Sequence, residues 1–217
     1  MDGYYYKQKL NLEDDLVASG VRDRRVLDAI RRVPRHEFVP EESKGLSYSN
    51  IALEIGHGQT ISQPAIVALM TELLEVREGD RILEIGTGFG YQAAVLAELG
   101  ARVFTVERIR PLAERAKATL TKLGYKDRVR IFYGDGSRGL KKFAGREGYD
   151  GIVIAAAYHK IPSRLLGQLK KEGGRLVMPV GGPNMQELML VRRVGDKFEL
   201  SEWGACTFVP FIVGREG

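Results

Sequence analysis

The chain has 217 residues, 44% of them hydrophobic and 28% charged, a balance that suits one large globular domain with a substantial core. No apolar run approaches the roughly 18 residues of a membrane span, the N-terminus has no secretory-type apolar segment, and the lone Cys206 excludes internal disulfides and cysteine-built zinc sites. The net charge of +5 comes from basic pairs such as Arg24-Arg25 and Lys170-Lys171 scattered among acids, which describes a solvated surface better than a phosphate-tracking groove. These features together predict a reducing, cytoplasmic protein that engages neither membrane nor nucleic acid.

In chain order, Tyr4 to Ala18 reads as a helix with Leu12, Leu16 and Val17 on its apolar side, closed by Gly20. Asp23 is a predicted N-cap for Arg24 to Val33, whose Val26, Leu27, Ile30 and Val33 share a face, and Pro34 stops that helix. Pro40 to Asn50 is loop-like. Ile55 to Pro64 reads as an ordered loop, and Pro64 to Val76 as a helix with its face at Ile66, Leu69, Met70, Leu73 and Leu74. From Asp80 the pattern alternates: strands at Arg81–Ile85, Arg102–Val106, Arg128–Tyr133, Tyr149–Ala155 and Gly174–Val180, with helices at Tyr91–Leu99, Pro111–Leu123 and Ser163–Leu169. That rhythm predicts βαβ units in a doubly wound, mostly parallel sheet. It ends in a hairpin, Glu187–Val194 and Lys197–Trp203, around Gly195-Asp196.

The first strand of the alternation runs into Gly86-Thr87-Gly88-Phe89-Gly90. Glycine lets a strand-to-helix turn reverse tightly and lets its backbone approach a ligand. A dinucleotide fingerprint would need glycine at position 91, where this chain has Tyr91. The pattern G-x-G-x-G preceded by Glu84 resembles motif I of the S-adenosylmethionine-dependent methyltransferases. Glu107 ends the second strand, where a carboxylate of a doubly wound fold reaches ribose hydroxyls; alone it could equally cap the next helix. Asp135, before Gly136, ends the third strand and resembles the residue of those enzymes that binds the adenine amino group; its plain alternative is an Asp-Gly turn. Gly86, Thr87, Gly88, Gly90, Glu107, Asp135 and Gly136 are the expected cofactor residues.

The acceptor is less directly readable. The fourth strand ends in Ala155-Ala156-Ala157, with no side-chain acceptor for an exocyclic amine and no ligand set for a metal, so no metal is expected. The segment Gly56-His57-Gly58-Gln59-Thr60-Ile61-Ser62-Gln63-Pro64 and the helix after it resemble the signature of the protein-L-isoaspartate O-methyltransferases. Gly86 to Ala97, Arg35 to Pro40, Asp135-Gly136 and Phe208 to Phe211 match too, so the resemblance spans roughly residues 20 to 212.

This resemblance implies a Rossmann-like methyltransferase domain over 1–217, with N-terminal helices and an active-site loop in 1–78 and a cofactor core in 79–217. It implies methyl esterification of the free α-carboxylate of isoaspartyl residues in peptides and partly unfolded proteins, opening a repair route through a succinimide. It assigns Ser62 as the active-site serine; Thr60 and Ile61 are expected to wall the substrate site and Thr207 to Phe211, Val209 among them, to pack over it, with simple core packing as their plain alternative. The chemistry agrees: a carboxylate of pKa near 4 is already ionised, so Ser62 orients substrate rather than attacking it. His57, His36 and His159 then have no proton to carry. A transfer-RNA or small-molecule methyltransferase would use the same cofactor site, and a non-catalytic binding module could keep the fold. Salt-dependent tRNA binding or a lack of turnover would reveal either.

Overall fold

The computed structural model describes residues 2–216. It opens with α1 (Asp2–Ala18) and α2 (Arg24–Arg32), separated by Gly20 at φ +98° and by the Asp23 N-cap, whose carboxylate accepts the Arg25 N–H at 2.8 Å. Leu12, Leu16, Val26, Leu27, Ile30 and Val33 are buried as expected. Val17 is not: it lies one residue, about 100° of helix rotation, beyond Leu16 and is 40% exposed. After Pro34 the chain winds into 3-10 turns at Arg35–Phe38 and Glu41–Leu46, where only loop was expected from residue 40.

The segment expected as a loop before Pro64 contains a hairpin. β1 (Leu53–Gly56) and β2 (Gln59–Ile61) pair antiparallel in a small sheet of their own. Their link, His57-Gly58, has φ of +54° and +65°. Two successive left-handed residues mark a type I′ turn, which matches the twist of paired strands. Strands of three and four residues, one ending in glycine, are too short to announce themselves by alternation. α3 (Pro64–Leu74) follows, capped by Asn50, whose side-chain oxygen accepts the Ala65 N–H at 3.0 Å. The helix ends two residues before the expected Val76, at Glu75 in a left-handed conformation. Val67, Ala68, Met70, Leu73 and Leu74 are buried, while Ile66 and Leu69, expected on the core face, are only half-buried.

The remainder alternates: β3 (Arg81–Ile85), α4 (Tyr91–Glu98), β4 (Arg102–Glu107), α5 (Arg110–Lys122), β5 (Val129–Tyr133), β6 (Gly151–Ile154), α6 (Ser163–Leu166), β7 (Glu172–Gly181), β8 (Gln186–Val194) and β9 (Lys197–Cys206). These strands form one seven-stranded sheet in the order β5-β4-β3-β6-β7-β8-β9. The five strands from β5 to β7 run parallel, and β8 and β9 close the sheet antiparallel. α6 is shorter than expected, ending at Leu166 rather than Leu169.

Both faces of the central strands are covered, with side chains sorting by the period of two, whereas β9 at the edge is exposed along nearly its whole length. Ile82, Val153 and Val177 join Leu12, Val67, Leu96 and Leu112 in one apolar cluster, so α1 to α5 share a single core layer. Leu83, Ile85, Ile152, Ile154, Leu176 and Met178 face the other way, onto Tyr149, Leu165 and Leu169. α3 is apolar on most sides because it is packed between α1, α2, α4 and the strands β6 and β7. Among the described residues no helix is long and apolar enough to cross a membrane.

Candidate active site

β3 has β4 on one side and β6 on the other, so the chain leaves its carboxyl end in the place where connections diverge to the two sides. In an open α/β sheet that divergence opens a crevice beyond the strand ends. The turn from β3 to α4 lines it. Gly86, Gly88 and Gly90 all adopt positive φ, and the Gly86 N–H is fixed to the Val106 carbonyl at 2.9 Å. A side chain on Gly88 would bring its Cβ to 3.2 Å from Ile55 Cδ1 of the hairpin, in a conformation that L-residues avoid. The glycine turn and the hairpin therefore meet at Gly88.

Glu107, at the end of β4, is 5% exposed and braces this turn. One carboxylate oxygen accepts the Gly88 N–H at 2.9 Å and the other accepts the Ile109 N–H at 3.0 Å. Burial raises its pKa, with those backbone donors opposing the shift. Beneath lies a second acid. Glu84 sits opposite Thr105 in the β3–β4 register and is fully buried, with no hydrogen-bond partner of good geometry for either oxygen among the described residues. Burial pushes its pKa up to about 8, Thr105 opposing and Glu107 adding to the shift. The Thr105 hydroxyl bonds to that of Thr87, so a buried polar strip underlies the glycine turn.

The hairpin closes the crevice from the N-terminal side. Gln59, Thr60, Ile61 and Ser62 line the same cavity as Gly86, Thr87, Gly88, Glu107 and Val209. An adjoining lobe shares Gln59, Gly86, Glu107, Ala155 and Val209, and adds Gly136, Phe211 and Ile212. The C-terminal segment is tied down from two directions. Gln186 clamps Phe208, accepting its N–H at 2.7 Å and donating to its carbonyl at 3.1 Å. Ala157 donates to the Val209 carbonyl at 2.8 Å, and Phe211 donates to that of Ala157 at 2.7 Å.

Thus the cavity gathers Thr60, Ile61, Ser62, Gly86, Thr87, Gly88, Glu107 and Val209, and its neighbouring lobe reaches Gly136. Gly90 and Asp135 line neither lobe. Gly90 instead caps α4, and Asp135 caps the turn Gly136–Arg138, accepting the Ser137 N–H at 2.8 Å. Burial of Asp135 is outweighed by hydrogen bonds from Ser137 and Gly214 and by the Arg138 charge, so its pKa falls below the ordinary value. His57 is exposed at the tip of the hairpin turn, and Cys206 is half-buried with its thiol pKa pushed up by burial to about 11. Gln59, shared by both lobes, and Arg35, which donates to the Ser62 carbonyl at 2.8 Å, had no role assigned from sequence. Both lie in segments that carried the family resemblance, which was the one signal available for them. Among the described residues no group of three or more His, Cys, Asp or Glu side chains could hold a metal ion.

A family model described as protein-L-isoaspartate(D-aspartate) O-methyltransferase matches residues 7–216. Proteins named protein-L-isoaspartate O-methyltransferase from Dictyoglomus thermophilum and Methylorubrum extorquens are 48% and 50% identical to this chain. They cover 95% and 94% of it, and 91% and 87% of their own lengths are matched. A solved structure of a protein-L-isoaspartate O-methyltransferase superposes with a TM-score of 0.82 at 29% identity, over 93% of this chain and 65% of the other. A second structure, a protein of that type from Plasmodium falciparum in complex with S-adenosyl-L-homocysteine, shares the fold with a TM-score of 0.79 at 22% identity. It is matched over 93% of this chain and 97% of its own.

Proposed function

The chain belongs to the protein-L-isoaspartate(D-aspartate) O-methyltransferase family, and from that premise we propose how its cleft divides the work of the reaction. The enzyme is S-adenosylmethionine-dependent and esterifies the free α-carboxylate of L-isoaspartyl residues, the first step of a repair that proceeds through a succinimide. The cleft fits the cofactor: Gly86 and Gly88 offer bare backbone in conformations that side chains would spoil, and the Glu107 carboxylate stands beside them. Gly86, Thr87, Gly88 and Glu107 would hold it, with Gly90 shaping the turn from the head of α4 and Asp135, beside Gly136, toward its adenine end. When bound, S-adenosylmethionine supplies a methyl group already activated on a sulfonium.

The protein's own residues then have no proton to remove, since an α-carboxylate is ionised at neutral pH. They must hold one carboxylate oxygen in line with the methyl carbon and keep water out, and such positioning is worth roughly 7–11 kcal/mol at best. Ser62 is the residue we assign to that task. Its hydroxyl donates to the carboxylate and orients it, while Thr60, Ile61 and Val209 wall the acceptor. The observation that supports this most is that Ser62 and the Gly86–Gly88 turn line one cavity. His57 has no part in it, being exposed at the hairpin tip.

Substrates on this reading are flexible or partly unfolded segments, because an isoaspartyl linkage needs an accessible, extended backbone. The chain works as one domain, residues 1–78 supplying the acceptor hairpin and 79–217 the donor core. An apolar cluster running from Leu12 to Leu190 supports this reading. The lone Cys206 supports a reducing, cytoplasmic setting. Incubation with labelled cofactor and matched isoaspartyl and aspartyl peptides tests the assignment. Label is expected on the isoaspartyl peptide alone, and equal labelling of both would refute it.

A further inference from the structure

Arg35 is the side chain whose burial the reaction, as derived above, does not explain. It is fully buried at the start of the 3-10 turn Arg35–Phe38, yet among the described residues its one side-chain hydrogen bond of good geometry runs from Nη2 to the Ser62 carbonyl, at 2.8 Å. Nε and Nη1 are buried without a partner among the described residues, and no carboxylate there forms an ion pair with it. A buried cation without a counterion is costly, and apolar residues of similar volume often replace such groups without loss of stability. Packing alone therefore does not call for an arginine here.

Its remaining contact suggests why one is present. The guanidinium lies over the Tyr91 ring, 4.6 Å from its centroid, and Phe38 of the same turn meets that ring edge-on at 5.7 Å. Tyr91 is buried and is the first residue of α4, directly after Gly90 of the donor turn. A planar, charged group stacked on an aromatic face is held in orientation as well as in place. Arg35 thus spans the two halves of the site, one side against the helix that leaves the donor turn and one hydrogen bond on the backbone of Ser62.

We propose that Arg35 is a positioning residue that sets the Ser62 backbone relative to the donor turn, and so fixes the distance across which the methyl group passes. The proposal rests on Ser62 as the acceptor-orienting group. It acts through the carbonyl side of that residue, leaving the hydroxyl free for substrate. The donor site is built without it, from the β3–β4 register and Glu107. Lysine could keep the charge and one hydrogen bond but not the stacked plane.

The test compares Arg35→Met and Arg35→Lys, each alone and combined with Ser62→Ala, in the full-length protein. Read-outs are kcat and KM for an isoaspartyl peptide and, separately, the calorimetric dissociation constant for S-adenosylhomocysteine. Arg35→Met is expected to lower kcat/KM at least tenfold with most of the loss in kcat, Arg35→Lys to recover part of it, and both to bind S-adenosylhomocysteine within twofold of wild type. In the Ser62→Ala background Arg35→Met should cost less than a further twofold, since both changes spoil the same positioning. The proposal is overturned if cofactor affinity and peptide turnover fall together, or if the losses multiply in the double variant. Should Arg35→Met not fold, Arg35→Lys carries the test alone and must show the same kinetic split and the same lack of additivity. If Ser62→Ala alone leaves turnover unchanged, it is the role of Ser62 that fails. If Ser62→Ala is costly and Arg35→Met is not, the failure belongs to Arg35 alone.

Discussion

The donor turn and the acceptor hairpin face each other across one cavity but are anchored in different ways. The turn grows out of β3, in the middle of a seven-stranded sheet, and is braced by backbone bonds to β4 and by both oxygens of Glu107. The hairpin is a separate two-stranded sheet that, among the described residues, pairs with no other strand. Two strands alone are marginal in water, so its position is set by side chains: Ile55 against Gly88, Asn50 and Pro64 at the head of α3, and Arg35 on the Ser62 carbonyl. On the proposed reading, sheet register fixes where the methyl donor lies, and a handful of tertiary contacts fixes what can be brought to it.

The contrast predicts that damage to the two regions separates cleanly. The largest effect should come from the donor side. Glu107→Ala frees the Gly88 and Ile109 N–H groups and removes the carboxylate offered to the cofactor, and should weaken S-adenosylhomocysteine binding by about 30- to 100-fold in a calorimetric titration, about 2–3 kcal/mol at 1.4 kcal/mol per tenfold. On the acceptor side, Ser62→Ala should cost roughly tenfold in kcat/KM for an isoaspartyl peptide, consistent with one hydrogen bond to a charged acceptor. It should leave the S-adenosylhomocysteine dissociation constant within about twofold, as expected when only the acceptor contact is lost. Loss of cofactor affinity in Ser62→Ala would blur the division.

A smaller effect concerns the floor that the donor turn rests on. Glu84 has its folded-state pKa raised from 4.5 to about 8, so the native protein holds a proton that the unfolded chain releases. Stability should therefore be greatest near and below pH 4.5 as far as this group is concerned, and should be lost as the pH rises through about 8. Between about pH 5 and about pH 8.5, Glu84→Gln should lose less of its melting temperature than wild type, by about 2–4 °C for each kcal/mol relieved. Equal slopes in the two proteins would mean that Glu84 is not held protonated. The smallest effect is expected at the hairpin tip. His57 occupies a left-handed conformation that suits glycine, so His57→Gly should change turnover less than about twofold and leave stability equal or higher by no more than about 1 kcal/mol.

The donor half was legible in the sequence because its signals are local. A glycine turn ending an apolar strand, and an acid ending the next, follow from the geometry of βαβ units, and Gly86, Gly88 and Glu107 come together in the cavity. The acceptor half was legible through family likeness alone. Strands as short as β1 and β2 leave no alternation to read, and the His57-Gly58 turn lacks the Asn-Gly or Asp-Gly pair that announces a type I′ hairpin. Burial of α3 was misjudged because a single apolar face was sought on a helix enclosed from several sides. Arg35 illustrates a further limit. Its partners, Ser62 and Tyr91, lie well downstream in sequence, and nothing about an arginine after Pro34 indicates that the fold will bury it.

Hydrogen exchange of the backbone amides, followed in turn with S-adenosylhomocysteine and then with an isoaspartyl peptide added, addresses the division of the site most directly. The account predicts that S-adenosylhomocysteine slows exchange in Gly86 to Gly90 and Ile109, and that the peptide then slows it in Gln59 to Ser62 while leaving the donor turn nearly unchanged. Protection by the peptide that appears in the donor turn and spares the hairpin would contradict it.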